Sequence, residues 1–142
     1  MKLLVSEILT KANKVANRED RIAFLREHDS PALRDIIRIA YDDDVVSLLP
    51  KGAPPYKPDD APEGHAPSSL YKEFRQFKYF FKGAVGEKLK DMKRETLFVQ
   101  LLESIHASEA KLLVRAKDKD MKNIPGVTKK LCQEAFPGLI AK

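Results

Sequence analysis

Five lysines, Lys117, Lys119, Lys122, Lys129 and Lys130, fall within a stretch of 14 residues that also contains Gly126. That pattern suits an anion. A helix starting at Gly126 would leave backbone N–H groups free and point its positive dipole end outward. Glycine would also let a phosphate approach the backbone closely. The same lysines equally fit a solvated surface around a plain Pro125-Gly126 turn. Charge is placed unevenly along the chain: residues 1–50 carry net −1, residues 51–67 net −1 and residues 68–142 net +7, for +5 in all. A polyanion would therefore meet the C-terminal half.

Other residue types capable of chemistry are sparse. Asp42-Asp43-Asp44 sets three carboxylates side by side, but no second acid cluster or glycine loop completes a cation site. A solvated turn is the expectation there. His28, His65 and His106 lack ligand spacing and each lies near a segment end, which suits solvated or helix-terminal roles. Cys132 is the single cysteine. It excludes an internal disulfide and a cysteine-rich metal site, and its neighbours Leu131 and Ala135 suggest a buried thiol. The sequence has no Gly-rich phosphate loop, no zinc spacing and no serine in a nucleophile-elbow context. No metal, no cofactor and no catalytic residue are expected.

The elements that must position these groups read as helices. Leu4, Ile8, Leu9, Ala12 and Val15 recur at helical spacing and mark a first helix over about residues 3–16. Asn17 suits an N-cap, with Glu19 and Asp20 in the first turn of a second helix burying Ile22, Ala23 and Leu25. Ser30-Pro31 reads as a cap followed by proline at the first helical position. Leu33, Ile36, Ile37, Ala40 and Tyr41 then form the clearest amphipathic stripe. Six of the nine prolines fall in residues 50–67, a proline-rich internal loop expected to be the most mobile internal part.

Beyond the loop, Ser68 caps a helix whose buried face is read as Leu70, Phe74, Phe77 and Phe81, with Lys72, Arg75, Lys78 and Lys82 on much of the rest. The aromatic stripe suits a core more than a base-stacking platform. Gly83 and Gly86 break that pattern. Further helices carry Leu97, Phe98, Leu101, Leu102 and Ile105, then Leu112, Leu113 and Ala116, and finally residues 127–136. The expected fold is all-α: about seven short helices in a compact, bundle-like single domain spanning residues 1–142. No apolar run is long enough for a membrane span and no signal-type segment opens the chain, so a cytoplasmic protein is expected.

The C-terminal pattern Lys119-Asp120-Met121, Gly126, a short helix and Phe136-Pro137-Gly138-Leu139-Ile140 resembles the N-terminal DNA-binding domain of ATP-dependent DNA ligases of the T-even phage type. Leu33-Arg34-Asp35-Ile36-Ile37-Arg38-Ile39-Ala40-Tyr41 is similar to the third helix of that domain. The chain departs from the pattern at Lys122-Asn123-Ile124-Pro125, four residues where the family has two. The resemblance implies an all-helical domain that grips the minor-groove face of a duplex through backbone amides and basic side chains. It places Lys119, Gly126, Thr128, Lys129 and Lys130 at that contact. Lys117 and Lys122 join them by proximity in sequence. No Lys-x-Asp-Gly occurs, so no lysine is placed for adenylylation. The expectation is a non-catalytic binder of duplex DNA, working beside a replication, repair or transcription protein. A protein–protein adaptor or host-takeover inhibitor, anchored at Pro54-Pro55-Tyr56, is the alternative.

Overall fold

Val5, Ile8, Leu9 and Ala12 repeat every three or four residues, and all four are buried on one face of α1 (Val5–Lys14). Glu7 turns back to accept the Leu4 N–H at 3.0 Å, satisfying a donor that the helix start leaves free. Asn17 caps α2 (Arg18–Glu27) by accepting the N–H groups of Glu19 and Asp20. Ser30 caps α3 (Pro31–Tyr41) by accepting the Leu33 N–H at 3.1 Å. The α3 stripe of Leu33, Ile36, Ile37 and Ala40 is fully inside.

The computed structural model describes residues 3–58 and 66–140. Among them the chain forms seven α-helices, two 3₁₀ segments and an isolated β-bridge between Ser47 and Phe81. After α3 come α4 (Leu70–Glu73), a 3₁₀ segment (Phe74–Tyr79), a second one (Gly86–Lys88), α5 (Asp91–Ser104), α6 (Ala107–Lys117) and α7 (Lys129–Ala135). At the centre, α3 and α6 pack together, with α1 and α5 against α6, and α2 joined to α1 and α7. No helix among the described residues is long and apolar enough to cross a membrane.

Two expectations change in detail. α2 buries only Leu25 fully; Ile22 is half-buried and Ala23 exposed. This helix is held by its arginines as much as by apolar packing. Arg21 donates to the carbonyl of Gly126 at 2.8 Å, and Arg26 to those of Glu134 and Ala135 at 2.9 Å. The aromatic segment also departs from α-helical spacing. It tightens after Glu73 into 3₁₀ geometry, in which every third side chain stacks. Leu70, Phe77 and Phe80 are buried, while Phe74 and Phe81 are only partly so. Phe80 meets Phe98 of α5 edge-on, with ring centroids 5.2 Å apart.

The proline-rich loop is tied down along its first part. Lys117 donates to the Pro50 carbonyl at 2.9 Å, Asp118 accepts the Gly52 N–H at 2.9 Å, and Glu103 accepts the Lys57 N–H at 2.8 Å. Tyr56 packs against the core. His65 and the rest of the loop's middle lie outside the described residues.

One buried carboxylate links three helices. Glu109, fully buried near the start of α6, accepts the Val5 N–H at the start of α1 (3.3 Å) and the Leu70 N–H at the start of α4 (3.2 Å). Burial pushes its carboxyl up to about 7, against the pull of those two hydrogen bonds.

Candidate nucleic-acid interface

The expected cluster around Gly126 divides into buried anchors and free surface groups. Lys117 is buried, its ammonium held by the Pro50 carbonyl and by the Asp118 carboxylate at 2.6 Å. Lys119 adopts φ 57°, a left-handed backbone, and its ammonium donates to the carbonyls of Ile39 and Asp42, each at 2.7 Å. Those carbonyls belong to the end of α3 and its cap, where a cation offsets the negative dipole end. Both lysines therefore serve the fold, correcting their place in a solvent-facing phosphate cluster.

Gly126 is corrected in the same way. The last helix starts at Lys129 and not at Gly126, with Thr128 as its N-cap accepting the Leu131 N–H. The Gly126 N–H donates to Asn13 Oδ1 at 2.6 Å, so it is not free for a phosphate. A Cβ at this position would lie 2.7 Å from Asn13 Oδ1, so the glycine serves close approach of α1. Lys129 faces Asp43 at 3.6 Å, while Lys122, Thr128 and Lys130 are exposed. Of the three adjacent aspartates, Asp42 is buried in the turn after α3, accepting the Asp44 N–H at 2.9 Å, and Asp43 and Asp44 are exposed.

The other singled-out groups take structural positions. His106 caps α6 through Nδ1, accepting the Ser108 N–H at 3.0 Å, and His28 ends α2 with its ring 4.7 Å from that of Phe24. The Cys132 thiol is buried, and desolvation pushes it up to about 12. Among the described residues, no group of three or more His, Cys, Asp or Glu side chains could hold a metal ion.

The most concentrated exposed positive charge lies elsewhere. Residues 72–93 hold seven basic and three acidic residues, a net +4 of the chain's +5. All seven cations, from Lys72 to Lys93, are exposed. Lys72, in α4, and Arg75 and Lys78, in the 3₁₀ segment, are spaced by three. The tightened geometry stacks Arg75 and Lys78 into a ridge, and Lys72 precedes them by one turn to extend it. A neighbouring ridge, Phe74, Phe77 and Phe80, faces inward. The Arg75 guanidinium lies 5.9 Å from the Phe74 ring centroid and the Lys78 ammonium 5.5 Å from that of Tyr79. Neither contact neutralises charge. No described acid is within ion-pair distance of any of the three. The triplet spacing was the signal available in the sequence, hidden by reading the segment as an α-helix.

At its far end the ridge reaches a groove of about 440 Å³ between α3 and residues 77–85. Arg38, Lys78 and Lys82 line it together with Asp35 and Asp44. Arg38 is a member of the positive rim that sequence order could not reveal. Behind two of the lining residues, Lys78 and Phe81, the backbone of Gly86 approaches closely. A Cβ there would sit 2.3 Å from the Phe81 carbonyl oxygen and 3.0 Å from that of Lys78. Neither oxygen can swing away as a side chain could. Gly86→Ala is expected to lower stability by about 1–3 kcal/mol through overpacking. A thermal melt followed by circular dichroism checks this; an unchanged Tm would show that the packing yields freely.

The sequence profile of a family of unknown function (DUF6433) matches residues 8–123. No curated protein matches the chain.

Proposed function

The chain belongs to this family of unknown function, and we propose that it is a non-catalytic protein that binds double-stranded DNA through backbone and shape. One observation carries the reading: the ridge of Lys72, Arg75 and Lys78, exposed and without acidic partners among the described residues, continuing to Lys82 and Arg38. A line of cations on a rigid segment matches a line of phosphates, and phosphate contacts position a protein without reading sequence. The resemblance to the ligase DNA-binding domain supports the same partner. The ridge, with Lys122 and Lys130 as further exposed cations, replaces the Gly126 region as the main contact. In this role the protein would act beside a replication, repair or transcription partner.

Fluorescence anisotropy with a short labelled duplex tests the proposal. Binding is expected to be independent of base sequence, and log affinity should fall linearly with log salt. Absence of binding at low salt, or an affinity indifferent to salt, would refute it.

A second reading, a protein adaptor, is favoured by a groove of about 530 Å³ between the proline-rich loop and α5. Met92 on its edge is 79% exposed, the most exposed large apolar residue described. This reading forecasts no duplex binding in the same titration.

A further inference from the structure

We propose that the groove between α3 and residues 77–85 accepts a single unpaired nucleobase, so that the protein prefers duplex DNA carrying an extrahelical nucleotide. The proposal rests on the DNA-binding reading and adds the kind of DNA recognised. The floor is apolar, formed by Ile39, Val45, Phe77 and Phe81. Val85, 41% exposed, stands beside it as one of the few large apolar side chains left to solvent.

Three cations and two acids line the same groove, so it holds groups suited to both the phosphate and the base of a nucleotide. Lys78 and Lys82 come from the segment that also carries the ridge, so a backbone following the ridge arrives at them. Arg38 supplies a third positive charge from α3. A nucleotide with its phosphate among these cations would have its flat apolar face over the floor. Base–aromatic stacking tolerates any base, because every base has a π-face. Asp35 and Asp44 are the two acids facing the groove. A carboxyl there accepts from a base-edge amino group, which a bare phosphate or an aliphatic side chain lacks.

The floor is also fixed in place. Phe81 forms an antiparallel bridge with Ser47, in which the Leu48 N–H donates to the Phe80 carbonyl at 2.9 Å and the Lys82 N–H to the Val46 carbonyl at 2.8 Å. The backbone of Gly86 packs closely against the Phe81 carbonyl and holds that residue from behind. The groove is thus shaped before anything enters it, which spares a ligand the cost of ordering it.

The test compares anisotropy titrations of three duplexes: fully paired, with one unpaired adenosine, and with one unpaired abasic nucleotide. The adenosine duplex should bind roughly tenfold more tightly than the paired one, a ratio set by one stacked base. The abasic duplex should bind like the paired one. Phe81→Leu, which keeps an apolar packing residue but removes the ring, should lose most of the preference. Val85→Ser, at an exposed position and without a change of charge, should reduce it too, and the readout for both variants is the ratio of adenosine-duplex to paired-duplex affinity. Equal binding of the adenosine and paired duplexes would overturn the groove proposal and leave DNA binding standing. A preference that the abasic duplex shares, or that survives both substitutions, would assign it to DNA bending and also overturn it. Failure to bind any of the three would end both readings.

Discussion

Replacing Lys72, Arg75 and Lys78 together with Glu is expected to weaken duplex binding by about a hundredfold or more at low salt. Each replacement removes one attraction and adds one repulsion along the same line of phosphates. Loss of three phosphate contacts should also flatten the slope of log affinity against log salt by about 2.7. The fold should survive, because all three side chains are exposed and their ring contacts with Phe74 and Tyr79 are peripheral. Circular dichroism verifies that. Lys11→Glu with Lys14→Glu, also exposed but on α1, should cost little. Lys129→Glu with Lys130→Glu provides the sharper comparison, since Asp43 already faces Lys129. A greater loss there than at the ridge would move the DNA contact to the start of α7.

Stability should decline between about pH 4.5 and pH 8 because of Glu109. Its ordinary value is 4.5, and in the folded chain burial raises it to about 7. The folded state therefore holds this proton more tightly than the unfolded chain. The stabilising effect of that proton is complete below pH 4.5 and disappears as pH rises through 7. The difference corresponds to about 3 kcal/mol at alkaline pH. Other carboxyls act in the opposite direction; Asp29, held low chiefly by its hydrogen bond to Arg34, contributes stability that is lost as pH falls. Comparing the wild type with Glu109→Gln isolates the one group, because a carboxamide does not titrate here. Urea unfolding at pH 4.5, 6 and 8 should show the variant gaining on the wild type at each step. A constant difference between the two proteins would mean that Glu109 keeps its ordinary value in the fold, its two N–H donors offsetting its burial.

Local signals in the sequence carried most of the helix starts. Asn17, Ser30-Pro31 and the α3 stripe are readable because a cap and its helix lie within four residues of one another. The 3₁₀ segment was not, since Leu70, Phe74, Phe77 and Phe81 fit α-helical spacing as well as Phe74, Phe77 and Phe80 fit a period of three. Tertiary packing of Phe80 against Phe98 decides between them. Charge identity was equally ambiguous. Lys117 and Lys119 look like surface cations in sequence, yet their partners are carbonyls 67 and 80 residues away, at Pro50 and Ile39. Arg38 and Lys82 share a groove for the same non-local reason. Glu109 gave no local sign at all, because its partners Val5 and Leu70 lie on two other helices.

The contacts of Arg21 and Arg26 with residues 126–135 have a consequence for how the chain is made. Gly126 bonds to Asn13 across 113 residues, and Arg26 reaches Ala135 across 109. Closing such distant pairs is slow, because the loop entropy must be lost before the contact is gained. During synthesis α1 and α2 leave the ribosome first, yet neither can complete its packing until residues 126–135 follow. At 5–20 residues per second, roughly 5–20 s separate the two events. For that interval the side of α2 that receives α7 waits without its cover, and the rate-limiting event of folding should be the late docking of α7.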